Sequence, residues 1–454
     1  AITFRADAGD GRFFEQKYTI KPNSYAIDYD VDLSKLGNAV AANAENIELQ
    51  WVNYLDRLER NSSYERNYSS VYYKAVDDDP TYCSCTSDDK EVIDDERVKW
   101  VSHSNQFFNT TLMAKGGESF TAATVATEMM DDKAADLKKL SSKVQIPYNG
   151  AGGQPFAMQL YVGPNEFDRL QQFDNSLEDI IPFGSSIFGT VNRWLIRPLF
   201  NLLSSFIGSA GLVILMLTVI VKLALYPFTY KMLYSQSKMA ALKPQITKMG
   251  EKFKDNPQEK QMETMKMYQQ YGVNPLGGCL PMVAQMPIWF ALYRFFPASI
   301  EFRQADFLWA TDLSSYDVFA YLPFEIPFYG SHVSLFTILW ALTTVIYTYY
   351  NSRHMDMSAQ PAMKYMQYFM PIMFLFFFNN FAAGLTCYLF FSNLFNIAQT
   401  LITKEVIIDK DKIAKELEMA KAKPKKKGGF RERLEKAMAE QQRIAAEQAA
   451  KRKK

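Results

Sequence analysis

One lysine sits where a charge is least welcome. Lys222 follows Val219-Ile220-Val221 and precedes Leu223-Ala224-Leu225. A Lys at the centre of a membrane-spanning helix costs roughly 3 kcal/mol on insertion scales. Its ammonium brings a positive charge and three donors, so its available chemistry is the attraction of carboxylates and other anions. Thr218 and Tyr226 flank it at i−4 and i+4, on one face of a continuous helix. Gln285 interrupts a second apolar stretch, and Asn393, Asn396 and Thr400 share a face of a third. Polar groups on several apolar helices suit a wet, cationic cavity that attracts acidic peptide. A blander reading stands beside this one. Lys222 lies about two turns from a helix end and can snorkel to the interface. The Asn and Gln side chains can bond helix to helix, for about 0.6–2 kcal/mol each. Met363, Met366, Met370 and Met373 line one helix face, and Met232, Met239, Met249, Met262, Met265 and Met267 stud the segment 230–272. Methionine adapts to varied apolar partners, which suits a promiscuous client surface, and it also serves ordinary packing.

Signatures of bond-making chemistry are missing. The three histidines, His103, His332 and His354, are far apart in sequence. There is no H-E-x-x-H, G-x-S-x-G, P-loop or G-x-G-x-x-G pattern. The Cys and His spacings do not make a metal site. Cys83 and Cys85 form a C-S-C whose bridging would be strained, while Cys279 and Cys387 sit in apolar stretches. Neither an enzyme nor a cofactor is expected.

The elements that must position these groups follow from charge and periodicity. Residues 1–180 carry 18 Lys and Arg against 30 Asp and Glu, whereas residues 403–454 carry 17 against 9. Residues 1–165 read as an all-β sandwich domain, with strict alternation over Tyr25–Leu33 and Phe156–Val162. Further strands are expected near Ser69–Val76, Val98–Ser102 and Gln106–Leu112, and a short helix over Lys133–Lys143. Residues 166–186 read as a linker. Val191, Trp194, Leu195, Leu199 and Leu202 recur at helical spacing, which predicts an interfacial amphipathic helix over 187–204. Uncharged runs of 24, 27, 27 and 39 residues follow. About 20 apolar residues cross a bilayer, so the first three runs give one span each. The fourth gives two, broken at Asn379-Asn380-Phe381-Ala382-Ala383-Gly384. An all-α polytopic core is expected over 205–403, with transmembrane helices at 206–228, 275–296, 333–351, 365–379 and 384–402. The segment 230–272 reads as a helical hairpin, with Asn256 capping the second arm and Glu259 completing a capping box. The tail 404–454 is basic, and Lys423-Pro424-Lys425-Lys426-Lys427-Gly428-Gly429 interrupts it.

Segment 230–272 carries eight Lys against four acids, and the tail is basic, so both fall on the cytoplasmic side. The acidic β-domain and the loop 297–332 fall on the other. A domain held outside the membrane needs an upstream signal or anchor helix, which is expected to precede Ala1.

The motifs are recognisable. The run from Leu217 to Pro227, LTVIVKLALYP, resembles the first core helix of the YidC/Oxa/Alb membrane protein insertases. Val273-Asn274-Pro275-Leu276-Gly277-Gly278-Cys279-Leu280-Pro281 is similar to that family's most recognisable motif and continues through Gln285-Met286-Pro287-Ile288. Gly384-Leu385 and Ser392-Asn393-Leu394 resemble its last span. Tyr161-Val162-Gly163-Pro164 resembles the end of the large periplasmic domain of its bacterial members. The resemblance implies a periplasmic β-supersandwich and an inner-membrane core whose hydrophilic groove passes nascent membrane proteins without ATP. It implies Lys222 in place of the family's usual groove Arg, with Thr218, Tyr226, Gln285, Tyr388, Asn393 and Asn396 wetting or lining the groove. A Tyr-Tyr pair common in bacterial members is Tyr388-Leu389 here. Met366 and Met370 would touch clients. Implied partners are nascent membrane proteins, the Sec translocon, the ribosome (through the cytoplasmic loops and basic tail) and membrane lipids, with no small-molecule cofactor. Two other readings compete: a secondary transporter or channel with a receptor domain, and a membrane-anchored carbohydrate-active enzyme. No internal repeat favours the transporter.

Overall fold

Among the described residues, twelve strands precede the first long helix. The computed structural model describes residues 1–41, 43–131, 133–148, 153–184, 186–253, 257–273, 280–352 and 361–422. The strands are β1 (Ile2–Gly9), β2 (Arg12–Ile20), β3 (Ala26–Asp32), β4 (Asn46–Asp56), β5 (Ser70–Ala75), β6 (Thr81–Tyr82), β7 (Asp89–Ile93), β8 (Val98–Ser104), β9 (Phe108–Ala114), β10 (Ala122–Met129), β11 (Asp136–Pro147) and β12 (Phe156–Pro164). An eight-stranded sheet runs β1-β2-β3-β12-β9-β8-β5-β6, and a four-stranded sheet runs β4-β11-β10-β7. All their pairings are antiparallel. Val31, Val71, Val101, Leu112 and Met158 of the larger sheet share one core with Val125, Leu140, Val144 and Ile146 of the smaller. That is a sandwich, each sheet burying its apolar face against the other.

Three local expectations change. Lys133–Lys143 is not a helix, because all of it from Asp136 onward belongs to β11. Lys138, Leu140, Ser142, Val144 and Ile146 alternate inward, and pairing along both β4 and β10 outweighs the helix propensity of the Lys and Leu residues. In β12 the alternation slips one residue after Leu160, so Tyr161 is buried and Val162 exposed. Tyr161 Oη donates to Pro164 O at 2.7 Å, which holds the ring inward. Residues 166–186 are no loose linker. After the short α1 (Ser62–Asn67), helix α2 (Phe167–Gln171) and the turn Leu177–Ile180 bury Phe167, Leu170, Leu177 and Ile180, and Phe183 beyond them is buried too. These residues join Trp100 and Tyr161 to Phe200, Val213, Leu217 and Phe295 in one continuous apolar core.

Polar pegs also cross the sandwich. Lys138 Nζ donates to the carbonyls of Ser69 (2.6 Å) and Cys85 (2.8 Å). His103 stacks on Trp51 with ring centroids 3.8 Å apart, and its Nε2 pairs with Ser142 Oγ at 2.7 Å. Burial lowers the His103 pKa from 6.5 to about 3. The unfolded chain therefore takes up a proton near pH 6.5 that the folded domain refuses until far lower pH. Stability falls as pH drops through that window. Denaturant midpoints, followed by tryptophan fluorescence from pH 7 to pH 4, should fall in the parent and fall less steeply in His103→Gln.

The helical part follows. Helix α3 (Ser186–Val191), a π-turn over Asn192–Ile196 and α4 (Arg197–Ser204) form the amphipathic segment, interrupted rather than continuous. Ile196 and Phe200 face the core, while Trp194 is 81% exposed and Ile187, Leu195 and Leu202 are exposed. The expected span 206–228 divides. Helix α5 (Ala210–Ala224) stops at Leu225, and α6 (Tyr226–Lys252) restarts with Pro227 in its first turn, where Pro is tolerated. Helices α8 (Leu280–Ala298), α9 (Leu335–Ser352), α10 (Pro361–Phe378) and α11 (Ala383–Ile402) lie close to the other expected spans. Among the described residues, one helix, Ala383–Ile407, is by itself long and apolar enough to cross a membrane. The interrupted pair α5 and α6 would make a second, and Tyr365–Phe378 is apolar but shorter.

The chain divides into two units. The first holds Ala1–Pro227, Pro281–Tyr349 and Lys364–Gln399. Within it the β-domain meets the loop 297–332 and the turn between α10 and α11. Gln106 Nε2 donates to Pro297 O (2.7 Å), Asn61 Nδ2 donates to Asn380 O (3.0 Å), and Arg303 Nε pairs with Glu59 Oε1 (2.8 Å). Asp317 is buried in this loop. Its carboxylate accepts from Ser334 Oγ, from Leu335 N (2.8 Å) and Phe336 N (3.2 Å) at the start of α9, and from Trp309 Nε1 (2.9 Å). Asn379 fastens the turn by donating to the carbonyls of Tyr329 (2.8 Å) and His332 (2.9 Å). Gly384 is required there, because a Cβ would lie 2.8 Å from the Phe296 ring and 3.0 Å from Leu313 O.

The second unit holds Phe228–Leu280, Tyr350–Met363 and Thr400–Lys454. Its hairpin comprises α6 and α7 (Pro257–Gln270), and Asn256, the expected cap, lies outside the described residues. The first part of the tail forms α12 (Lys410–Ala422). Ile413 and Leu417 of α12 pack with Leu233, Leu242 and Ile246 of α6. Residues 274–279 of the quoted motif and residues 423–454 of the tail lie outside the described residues.

Candidate functional site

Lys222 occupies the last turn of α5 and is 3% exposed. It faces inward because Leu217, Thr218 and Val221 on the same arc are also buried, while Leu212, Met216 and Leu223 turn outward. Its Nζ donates to Gln285 Oε1 of α8 at 3.2 Å. Among the described residues no carboxylate pairs with it. A neutral amide therefore meets a buried cation, which leaves most of its desolvation cost uncompensated. A snorkelling lysine would instead carry its ammonium to the surface.

Helix α11 supplies the third wall. Gln399 Nε2 donates to Lys222 O at 3.4 Å. Tyr388 is fully buried, with its hydroxyl toward Gln285 and Ser392. Gln399 Oε1 has no hydrogen-bond partner among the described residues.

The other expected residues divide. Thr218 is buried beside Lys222, but its hydroxyl donates to Ile214 O at 2.7 Å within its own helix. Tyr226 leaves the shared face, because α5 ends before it and it begins α6. Asn393 Nδ2 donates to Thr344 Oγ1 of α9 at 2.6 Å, which is a helix–helix clamp. Asn396 is half-buried. Met366 and Met370 stand exposed on α10 beside Tyr365, Phe369 and Met373. Gln399 is absent from the sequence reading, and Ser392 enters it only as part of the last-span motif. Tyr388, Ser392 and Gln399 are spaced by four and seven residues, which makes one stripe of α11. Asn393, Asn396 and Thr400 form a neighbouring stripe, rotated by roughly one residue, about 100°.

Two family models account for most of the chain. The model described as the YidC periplasmic domain matches residues 1–202, and the one described as 60Kd inner membrane protein matches residues 202–411. A membrane protein insertase YidC of Parabacteroides distasonis is 38% identical over 471 aligned residues, covering all of this chain and 74% of that protein. The chain belongs to the YidC family of membrane protein insertases. The YidC of Bacteroides fragilis is 36% identical over all of this chain and 75% of its own length. That of Porphyromonas gingivalis is 31% identical over 99% of this chain and 74% of its own. The β-rich part is thus the family's periplasmic domain, and the helical part its inner-membrane domain.

Proposed function

We propose that this chain inserts nascent membrane proteins by offering their polar or acidic segments a cationic way-station at Lys222. The observation that carries the reading is the buried Lys222 ammonium, matched among the described residues by the neutral Gln285 amide. In this reading α5, α8, α9, α10 and α11 are five membrane spans, and each supplies a largely uncharged run. Outward-facing Leu212, Met216, Leu342, Ile346, Phe369 and Phe377 suit contact with lipid. The periplasmic domain, the loop 297–332 and the α10–α11 turn lie outside, and their mutual hydrogen bonds support a common side. The hairpin and basic tail lie in the cytoplasm, where they recruit the ribosome, and insertion proceeds alone or beside the Sec translocon.

The mechanism makes no covalent bond. A client carboxylate at the centre of a bilayer costs roughly 2.5–3.5 kcal/mol on the insertion scale. A charge-assisted hydrogen bond to Lys222 returns about 1.5–3 kcal/mol, enough to offset most of that cost. The client's span then partitions into lipid, at roughly −0.3 to −0.6 kcal/mol per apolar residue, which drives release. Gln285 and Tyr388 offer polar contacts along the way. Met366, Met370 and their aromatic neighbours on α10 receive the apolar part.

Gln285→Glu tests the reading. A carboxylate placed at Lys222 Nζ would neutralise it from within and compete with the client's own acids. Insertion of a single-span client with an acidic outer tail into proteoliposomes should fall about tenfold, the effect of roughly 1.4 kcal/mol. Unchanged insertion would contradict it.

A further inference from the structure

Another buried lysine lies in the other unit. Lys404 follows α11 in a π-turn over Thr403–Ile407 and is 7% exposed. Its Nζ donates to Asn351 Oδ1 at 3.2 Å, again a neutral carboxamide. The adjacent Glu405 carboxylate binds Lys410 Nζ instead, at 3.0 Å. Among the described residues no carboxylate pairs with Lys404. It lines a cavity of about 310 Å³ with Gln236, Ala240, Ala241, Ile408 and Ile413, and the Glu405–Lys410 ion pair borders the same cavity. Leu401, Ile402, Val406 and Ile407, around the same turn, expose apolar side chains.

We propose that this cavity binds the phosphate of an anionic phospholipid, with Lys404 as its counter-charge and the acyl chains along Leu401, Ile402 and Val406. Three features converge on this ligand. A buried cation with only a neutral partner favours an anion. The cavity is too small for a whole lipid and large enough for a phosphate head. The apolar strip beside it needs hydrocarbon. Basic pockets at the cytoplasmic ends of spans meet anionic head groups in this way. The inference rests on α11 crossing the membrane, as in the proposed function, but not on insertion.

Native mass spectrometry of the full chain, with phosphatidylglycerol and phosphatidylcholine supplied in equal amounts, tests it. The parent should retain phosphatidylglycerol about tenfold over phosphatidylcholine, as expected for one charge-assisted contact. Lys404→Gln should bring the ratio close to one, and Lys404→Arg should restore it. A ratio unchanged in Lys404→Gln overturns the proposal. Inorganic phosphate added in excess should not displace the lipid, and displacement by phosphate alone would overturn the lipid assignment. A tryptophan introduced as Val406→Trp and quenched by brominated phosphatidylcholine reports separately on the span. Quenching with no head-group preference removes the phosphate site and leaves the spanning reading standing.

Discussion

Lys222→Ala should reduce insertion of clients with acidic outer segments by about tenfold or more, while Lys222→Arg should retain it. The argument is one of charge in a dry place. The ammonium is buried, bonded to one amide oxygen at 3.2 Å, and among the described residues no carboxylate pairs with it. Removing it takes away the charge-assisted contact, worth about 1.5–3 kcal/mol, that offsets desolvation of a client acid. That range corresponds to roughly 10- to 150-fold in rate if the loss falls wholly on the transition state. Arginine keeps the charge and adds a planar fork that matches carboxylates, so its expected effect is neutral or favourable. Alanine also relieves an uncompensated buried charge, so Lys222→Ala should not be less stable than the parent. Thermal unfolding of the same preparations separates lost function from lost fold.

Asp317→Ala should be the most damaging single change at the outer end of the core. The buried carboxylate gathers four donors, two of them the backbone amides that open α9. Truncation strands all four in a buried place, at a cost of about 3–5 kcal/mol. The unfolding midpoint should fall by roughly 5–10 °C. Asp317→Asn should cost less, since one amide oxygen still accepts. The loop also joins Asn379 and Gly384 at the α10–α11 turn, so loss of Asp317 should loosen this closure as well. Equal midpoints for Asp317→Ala and the parent would show that the carboxylate is not the fastening.

Much of this was legible in the residues. Strand alternation located β3, β5, β8 and β9, and uncharged runs located α8 to α11 within a few residues. What was not legible depended on tertiary context. Lys133–Lys143 looks helical alone, but β4 and β10 flank it on both sides. The segment 166–186 lacks a simple period, yet its apolar residues fill the core beneath Trp100 and Tyr161. The site divided in the same way. Lys222 and Gln285 stood out because polar groups are costly in apolar helices. The choice between the Asn393 and Tyr388 stripes of α11 depends on how the helix is rotated, and no local pattern fixes that. Tyr226 was misplaced because the sequence alone does not show that α5 stops at Leu225.

The central claim is that Lys222 acts on client charge, and a two-by-two comparison tests it most directly. One client carries two Asp in its outer tail and the other carries Asn in their place. Each is offered to proteoliposomes containing either the parent or Lys222→Ala, and insertion rates are measured. The claim predicts coupling: Lys222→Ala slows the Asp client about tenfold or more and leaves the Asn client nearly unchanged. Equal slowing of both clients, or of neither, would contradict it.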